Sequence, residues 1–164
     1  MAEIFAIDSN ILITAKNREY AFDIAPSFWE KLLQNANRIV LLDEVKKEIY
    51  KGDSNDLLRK WLKSNESLFI NMPTDIDVAN AYSDIMGTVF SDAAFDNVKG
   101  KAEFSGIADS WICAYCLAKG HTLVTFEKFD KNIKRKVLIP NVCVEFNIPY
   151  IDLYTMMRKL SITL

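Results

Sequence analysis

Four short apolar runs punctuate the chain: IFAI at 4–7, RIVLL at 38–42, TLVT at 122–125 and YIDL at 150–153. The first three are nearly continuous in apolar residues. That pattern suits strands covered on both faces, as in a mostly parallel sheet, whereas strands with one wet face alternate. Between the runs the spacing turns helical. Phe28, Trp29, Leu32 and Leu33 share one face of a helix over 26–34, with Pro26 in its first turn. DEVKKEIYKG follows the second run with Asp43 as N-cap and Gly52 as stop, and DSNDLLRKWLKS begins another helix, so a helical hairpin is expected there. DIDVANAYSDIMGTVF predicts a further amphipathic helix, and SGIADSWICAYCLAKG a strongly apolar, central one closing at Gly120. No clean period holds from about Ser91 to Lys101, which reads as a loop. The end, EFNIPYIDLYTMM, supplies a last strand and helix, with Pro149 at an edge position.

No internal repeat, low-complexity tract or linker divides the chain, so one domain over 1–164 is expected. Strands alternating with helices predict a three-layer α/β/α architecture around a central, mostly parallel sheet. At 164 residues, half of them hydrophobic, such a chain can bury a real core. The apolar stretch at 4–7 is too short for a signal peptide, and no run reaches the length of a membrane span, so the expected location is the cytoplasm, away from membranes.

Charge and cysteines narrow the chemistry. A net charge of -2 excludes a polycation that clings to any nucleic acid. Locally, KFDKNIKRK packs Lys128, Lys131, Lys134, Arg135 and Lys136 into nine residues directly after a strand. By itself that is a solvated face; beside a phosphate site it is a place for flanking phosphates. Cys113, Cys116 and Cys143 are an odd number with no export signal, so free thiols are expected. The CAYC pair has redox or zinc spacing but lies within an apolar helical pattern, which favours burial.

The acidic residues carry the candidate chemistry. Asp8 follows the first strand directly, at the carboxyl edge where open α/β sheets build their sites. Glu48 lies about a turn and a half into the helix after the second strand, with Val45 and Ile49 turned to the core. Asp109 opens the apolar helix, and Glu127 comes two residues after TLVT. Each alone has an ordinary explanation as a turn former, a solvated residue or a helix-terminus acid. Together at one edge they raise each other's pKa values and call for a cation. Oxygen-only ligands favour Mg2+ or Mn2+, whose usual chemistry is on phosphates.

Taken in order, FAIDSNILI, VLLDEVKKEI, IADSWICAYCLAKGHTLVT and FEKFD resemble the PIN domain, the PilT N-terminal type of nuclease, and within it a poorly characterised bacterial and archaeal PIN-like subfamily similar to VapC-type toxins. The likeness spans nearly the whole chain. It implies a Mg2+- or Mn2+-dependent endoribonuclease, of the kind that forms the toxin half of a toxin–antitoxin pair. Carried over by position, Asp8, Glu48, Asp109 and Glu127 would be the catalytic and metal-binding acids. Glu127 stands where many members have aspartate, so it would reach an ion through water or serve a second one, and Asp130 is the other candidate for the fourth acid. Ser9, Asn10 and Thr125 fit as polar groups that orient carboxylates or water. The partners implied are an RNA substrate, an antitoxin protein and a second copy of the chain; Trp61 is either a contact for such a partner or part of the core.

Two other functions are to be weighed. A small-molecule phosphatase of the haloacid-dehalogenase pattern wants an aspartate two residues after Asp8, where Asn10 stands. A PIN-like binding or assembly module with little catalysis has no need to retain four acids, and ion binding separates it from the nuclease.

Overall fold

The computed structural model describes residues 2–71 and 74–164. Five strands, β1 (Phe5–Ile7), β2 (Ile39–Leu42), β3 (Phe69–Ile70), β4 (Thr122–Val124) and β5 (Tyr150–Ile151), form one sheet in the order β3-β2-β1-β4-β5. Every pairing is parallel. The three inner strands are buried along their whole length, as their unbroken apolar runs predict.

Nine helices connect and flank the strands: α1 (Ser9–Asn17), α2 (Pro26–Gln34), α3 (Asp43–Ile49), α4 (Leu57–Ser64), α5 (Ile76–Ser91), α6 (Lys101–Ser105), α7 (Ala108–Lys119), α8 (Ile139–Phe146) and α9 (Leu153–Lys159), counted among the described residues. From β1 the chain steps outward to β2 and β3; it then crosses back to β4 and steps outward to β5. Right-handed crossovers therefore place the helices of the two halves on opposite faces, giving three layers. The direction of winding reverses between β1 and β4, and the crevice at their carboxyl ends is where such sheets bind ligands.

The core runs continuously through the sheet and both helical layers. Val78, Ala81, Ile85 and Val89 recur at helical spacing along α5 and face α7, which is itself buried nearly all round. All three cysteines are free and buried, as expected from their number and surroundings. Trp61 packs on the core, its ring edge-on to Trp29 at 5.1 Å.

Several expectations change. The helix α1 was not legible as a separate element, because its buried positions Ser9, Ile11, Leu12 and Ala15 include a polar one. Asp43 is not the N-cap of α3: Leu42 holds that position, and Asp43 pairs with Lys46 and Lys47 from the first turn. The run YIDL is a strand only over Tyr150–Ile151, since the Asp152 carboxylate accepts from the Thr155 amide at 2.8 Å and starts α9. The segment expected as a loop contains a 3-10 turn at Ala93–Phe95, anchored by the buried Phe95, and meets α6 at Lys101. The strand β3 was missed; two residues at a sheet edge leave no period to detect.

Gly120 ends α7 in the left-handed conformation, φ 70°, with open space where a Cβ would stand. The cost of a side chain there is purely conformational. Gly120→Ala should lower the unfolding free energy by about 1 kcal/mol, with Gly120→Asn milder, as read by urea denaturation of the two variants.

Candidate functional site

The carboxyl ends of β1 and β4 lie side by side. Ile7 is in register with Val124, and the Asp8 amide donates to the Val124 carbonyl at 3.0 Å, so Asp8 and Thr125 follow as neighbours. Asp8 is 1% exposed. It occupies the N-cap position of α1 without capping it through its side chain. Instead the Thr125 hydroxyl donates to Asp8 Oδ2 at 3.2 Å, and Ser9 Oγ lies 3.5 Å from Oδ1. The same Thr125 oxygen accepts from the Glu127 amide at 3.1 Å, tying the loop after β4 to the end of β1.

Glu48 reaches this edge from α3 as its spacing predicts, with Val45 and Ile49 buried behind it. Its two oxygens are both engaged: Ser9 Oγ donates to Oε2 at 2.7 Å, and the Ala108 amide donates to Oε1 at 2.9 Å. Glu48 thus closes the N-terminus of α7, where the helix leaves unpaired amides and favours negative charge. Asp109, the next residue of α7, stands in the same corner.

Glu127 is held in a similar way. The Lys136 ammonium donates to Oε1 at 3.0 Å and the Ile139 amide, at the start of α8, donates to Oε2 at 2.8 Å. The loop over 128–136 is therefore folded back on the acidic edge by its last lysine. Lys128 and Arg135 line an open cleft of about 500 Å³ beside Glu127; Lys134 is turned away to the Asp96 carbonyl, and Lys131 is exposed.

Among the described residues, no cationic side chain is bonded to Asp8 or Asp109. Burial, then the charges of Glu127 and Glu48, push Asp8 up to about 6 against the hydrogen bond from Thr125. Asp109 is pushed up to about 8 by burial and by Asp8, Glu127 and Glu48, with Lys136 opposing. The four sequence-predicted acids thus act on one another across one edge. Among the described residues, though, no three His, Cys, Asp or Glu side chains form a ready cage for an ion, because Glu48 and Glu127 are turned to protein donors. The donor chemistry suits a hard cation even so, since Mg2+ takes few carboxylates and keeps several waters.

Of the polar neighbours, Ser9 and Thr125 make the contacts expected of them. Asn10 is exposed and its side chain makes no hydrogen bond among the described residues. Asp130 is exposed and accepts from the Asn132 amide, while Glu127 is among the charges that act on Asp8 and Asp109. The amides of Ala108 and Ile139 were invisible to sequence reasoning, because any residue type supplies them.

Fold and site together define an α/β protein with a cluster of carboxylates at the switch point of a parallel sheet. Residues 5–164 match the family described as "Domain of unknown function (DUF4411)", and the chain belongs to that family. No curated protein matches it. Among solved structures it is similar to one described as "Crystal structure of VapBC2 from Rickettsia felis bound to a DNA fragment from their promoter", at 17% identity over 82% of this chain and 99% of that chain, with a TM-score of 0.46. No helix among the described residues is long and apolar enough to cross a membrane.

Raised carboxyl pKa values mean that the folded state holds protons the unfolded chain has released. In chelator, Asp8 and Asp109 therefore make stability fall as pH rises from about 4 to about 8, the interval between their ordinary value of 3.8 and their folded values. His121, pushed down by burial, works the other way below about 6.5. Asp109→Asn isolates the acidic contribution: at pH 8 it should raise the unfolding free energy by about 1–3 kcal/mol and flatten the decline relative to wild type, as measured by urea denaturation across pH.

Proposed function

We propose that this protein is a Mg2+- or Mn2+-dependent endoribonuclease of the PIN type, acting as the toxin of a toxin–antitoxin pair. The observation that carries the reading is the pair Asp8 and Asp109, one buried and one half-buried carboxylate at the β1/β4 switch point, with no cationic side chain bonded to either among the described residues. Such a pair is costly to ionise unless a cation joins it. The ordered motifs from FAIDSNILI to FEKFD support the same conclusion.

In this reading Asp8 and Asp109 would hold the ion, with Glu48 and Glu127 adding negative charge nearby. A bound Mg2+ or Mn2+ neutralises phosphodiester oxygens and acidifies water. The chain's own residues organise that chemistry. Thr125 holds the carboxylate of Asp8, and Ser9 with the Ala108 amide holds that of Glu48. Lys136 balances Glu127 and keeps a positive charge beside the acids, where the flanking phosphates of a strand approach. Lys128 and Arg135 extend that charge along the loop. Hydrolysis would leave a 3′-hydroxyl and a 5′-phosphate. A small antitoxin covering the acidic edge, and pairing of two copies, belong to the same reading, as does a cytoplasmic setting.

The ties on Glu48 and Glu127 favour one competing reading, a PIN-like binding or assembly module in which these acids only brace the helices. Incubation of a mixed pool of structured RNAs with Mn2+, Mg2+ or EDTA separates the two. Cleavage is expected to require the ion and to be abolished by Asp8→Asn, with a melting temperature in EDTA at or above wild type. A wild-type chain that neither cuts nor gains melting temperature with either ion would establish the module instead.

A further inference from the structure

A second cleft, of about 730 Å³, opens next to the acids and shares Thr125 and Glu127 with them. It lies between the end of α1, the loop after β4 and the start of α9. Its apolar lining is mostly aromatic. Phe126 and Tyr154 lie with ring centroids 6.0 Å apart and their planes tilted by 52°, and Phe129 also lines the cleft. Tyr154 is 37% exposed and Phe129 45%, so both offer a free ring face to a ligand. Arg18 and Lys128 line the same cleft, and neither forms an ion pair among the described residues.

Flat apolar faces beside uncommitted cations are what a nucleic-acid strand meets where it binds by stacking: the rings take bases and the cations take the backbone. Three acids also line the cleft, of which Glu127 is already engaged by Lys136 and the Ile139 amide. Asp152 is already committed to the Thr155 amide, while Glu19 is left to accept from base N–H groups. The core has no need of Tyr154 and Phe129 as aromatic residues at these exposed positions.

We propose that this cleft is a nucleobase subsite, in which an unpaired base stacks on Tyr154 with Phe126 packed beside it, while Arg18 and Lys128 hold the phosphates that join it to the acidic edge. A paired base has no free face to offer, so the cleft selects a single strand over a duplex at this point. The inference rests on the nuclease reading only for the placing of the scissile phosphate at Asp8 and Asp109; occupancy of the cleft is a separate matter.

The test measures binding without chemistry. The Asp8→Asn/Asp109→Asn variant, which carries two fewer carboxylates at the edge, is titrated in EDTA against a fluorescent RNA oligonucleotide as a single strand, against the same strand in a blunt duplex, and against a nucleoside monophosphate. The single strand should bind best. Adding Tyr154→Ala should weaken its binding by about tenfold and leave the duplex unaffected, whereas Tyr154→Phe, which keeps the ring, should bind as the parent does. Equal binding of duplex and single strand would overturn the subsite, as would Tyr154→Ala binding like its parent at an unchanged melting temperature. A monophosphate that binds as tightly as the strand would make the cleft a mononucleotide site and overturn the strand assignment. If Tyr154→Ala melts early, Tyr154→Leu, which retains apolar bulk without a ring, carries the comparison and should show the same loss. Stacking in these titrations combined with a wild-type chain that never cuts RNA would remove the nuclease and leave the subsite standing.

Discussion

Repulsion among clustered carboxylates is the constraint around which this protein is arranged. Asp8 is buried and Asp109 half-buried, and both face the charges of Glu48 and Glu127, so each resists ionisation. A cluster like this costs folding free energy, and it survives because rigid elements deliver the acids. The strand β1 is buried between two parallel partners, and α7 is gripped by α5, α8 and the sheet.

The remaining acids show how the fold limits that cost. Glu48 and Glu127 spend their charge on helix N-termini, at Ala108 and Ile139, and Glu127 has Lys136 besides. Backbone amides so placed need no further reorganisation to receive a negative charge. The edge is therefore divided: two acids are matched by protein donors, and two are left short of positive charge in the crevice between β1 and β4. Thr125 connects the halves, donating to Asp8 and accepting from the Glu127 amide, so that the loop after β4 and the end of β1 move as one unit.

The same connection joins the acidic edge to the aromatic cleft. Both open on the loop that follows β4, and the folded-back segment over 128–136 forms a wall of the basic side. Charge, ring faces and carboxylates are thus presented along one face of the sheet's carboxyl end, although they come from opposite ends of the chain.

Local periodicity determined much of this protein. Unbroken apolar runs at 4–7, 38–42 and 122–125 specified buried parallel strands, and the position of Asp8 just past the first placed a carboxylate at the sheet edge. The spacing of Val45, Glu48 and Ile49 set which way Glu48 faces, because helical phase is a property of the segment itself. The motif order singled out Asp8, Glu48, Asp109 and Glu127 as candidates among 22 acidic residues, with Asp130 as the alternative to Glu127. Tertiary structure decided what no local pattern encodes. Which acids are satisfied and which are left uncompensated depends on the Ala108 and Ile139 amides, which any sequence supplies and only packing aims. The meeting of Arg18 with Tyr154 across one cleft depends on contacts between segments far apart in the chain, set by the reversal of the sheet at β1 and β4, and the return of Lys136 to Glu127 depends on how the loop between them folds.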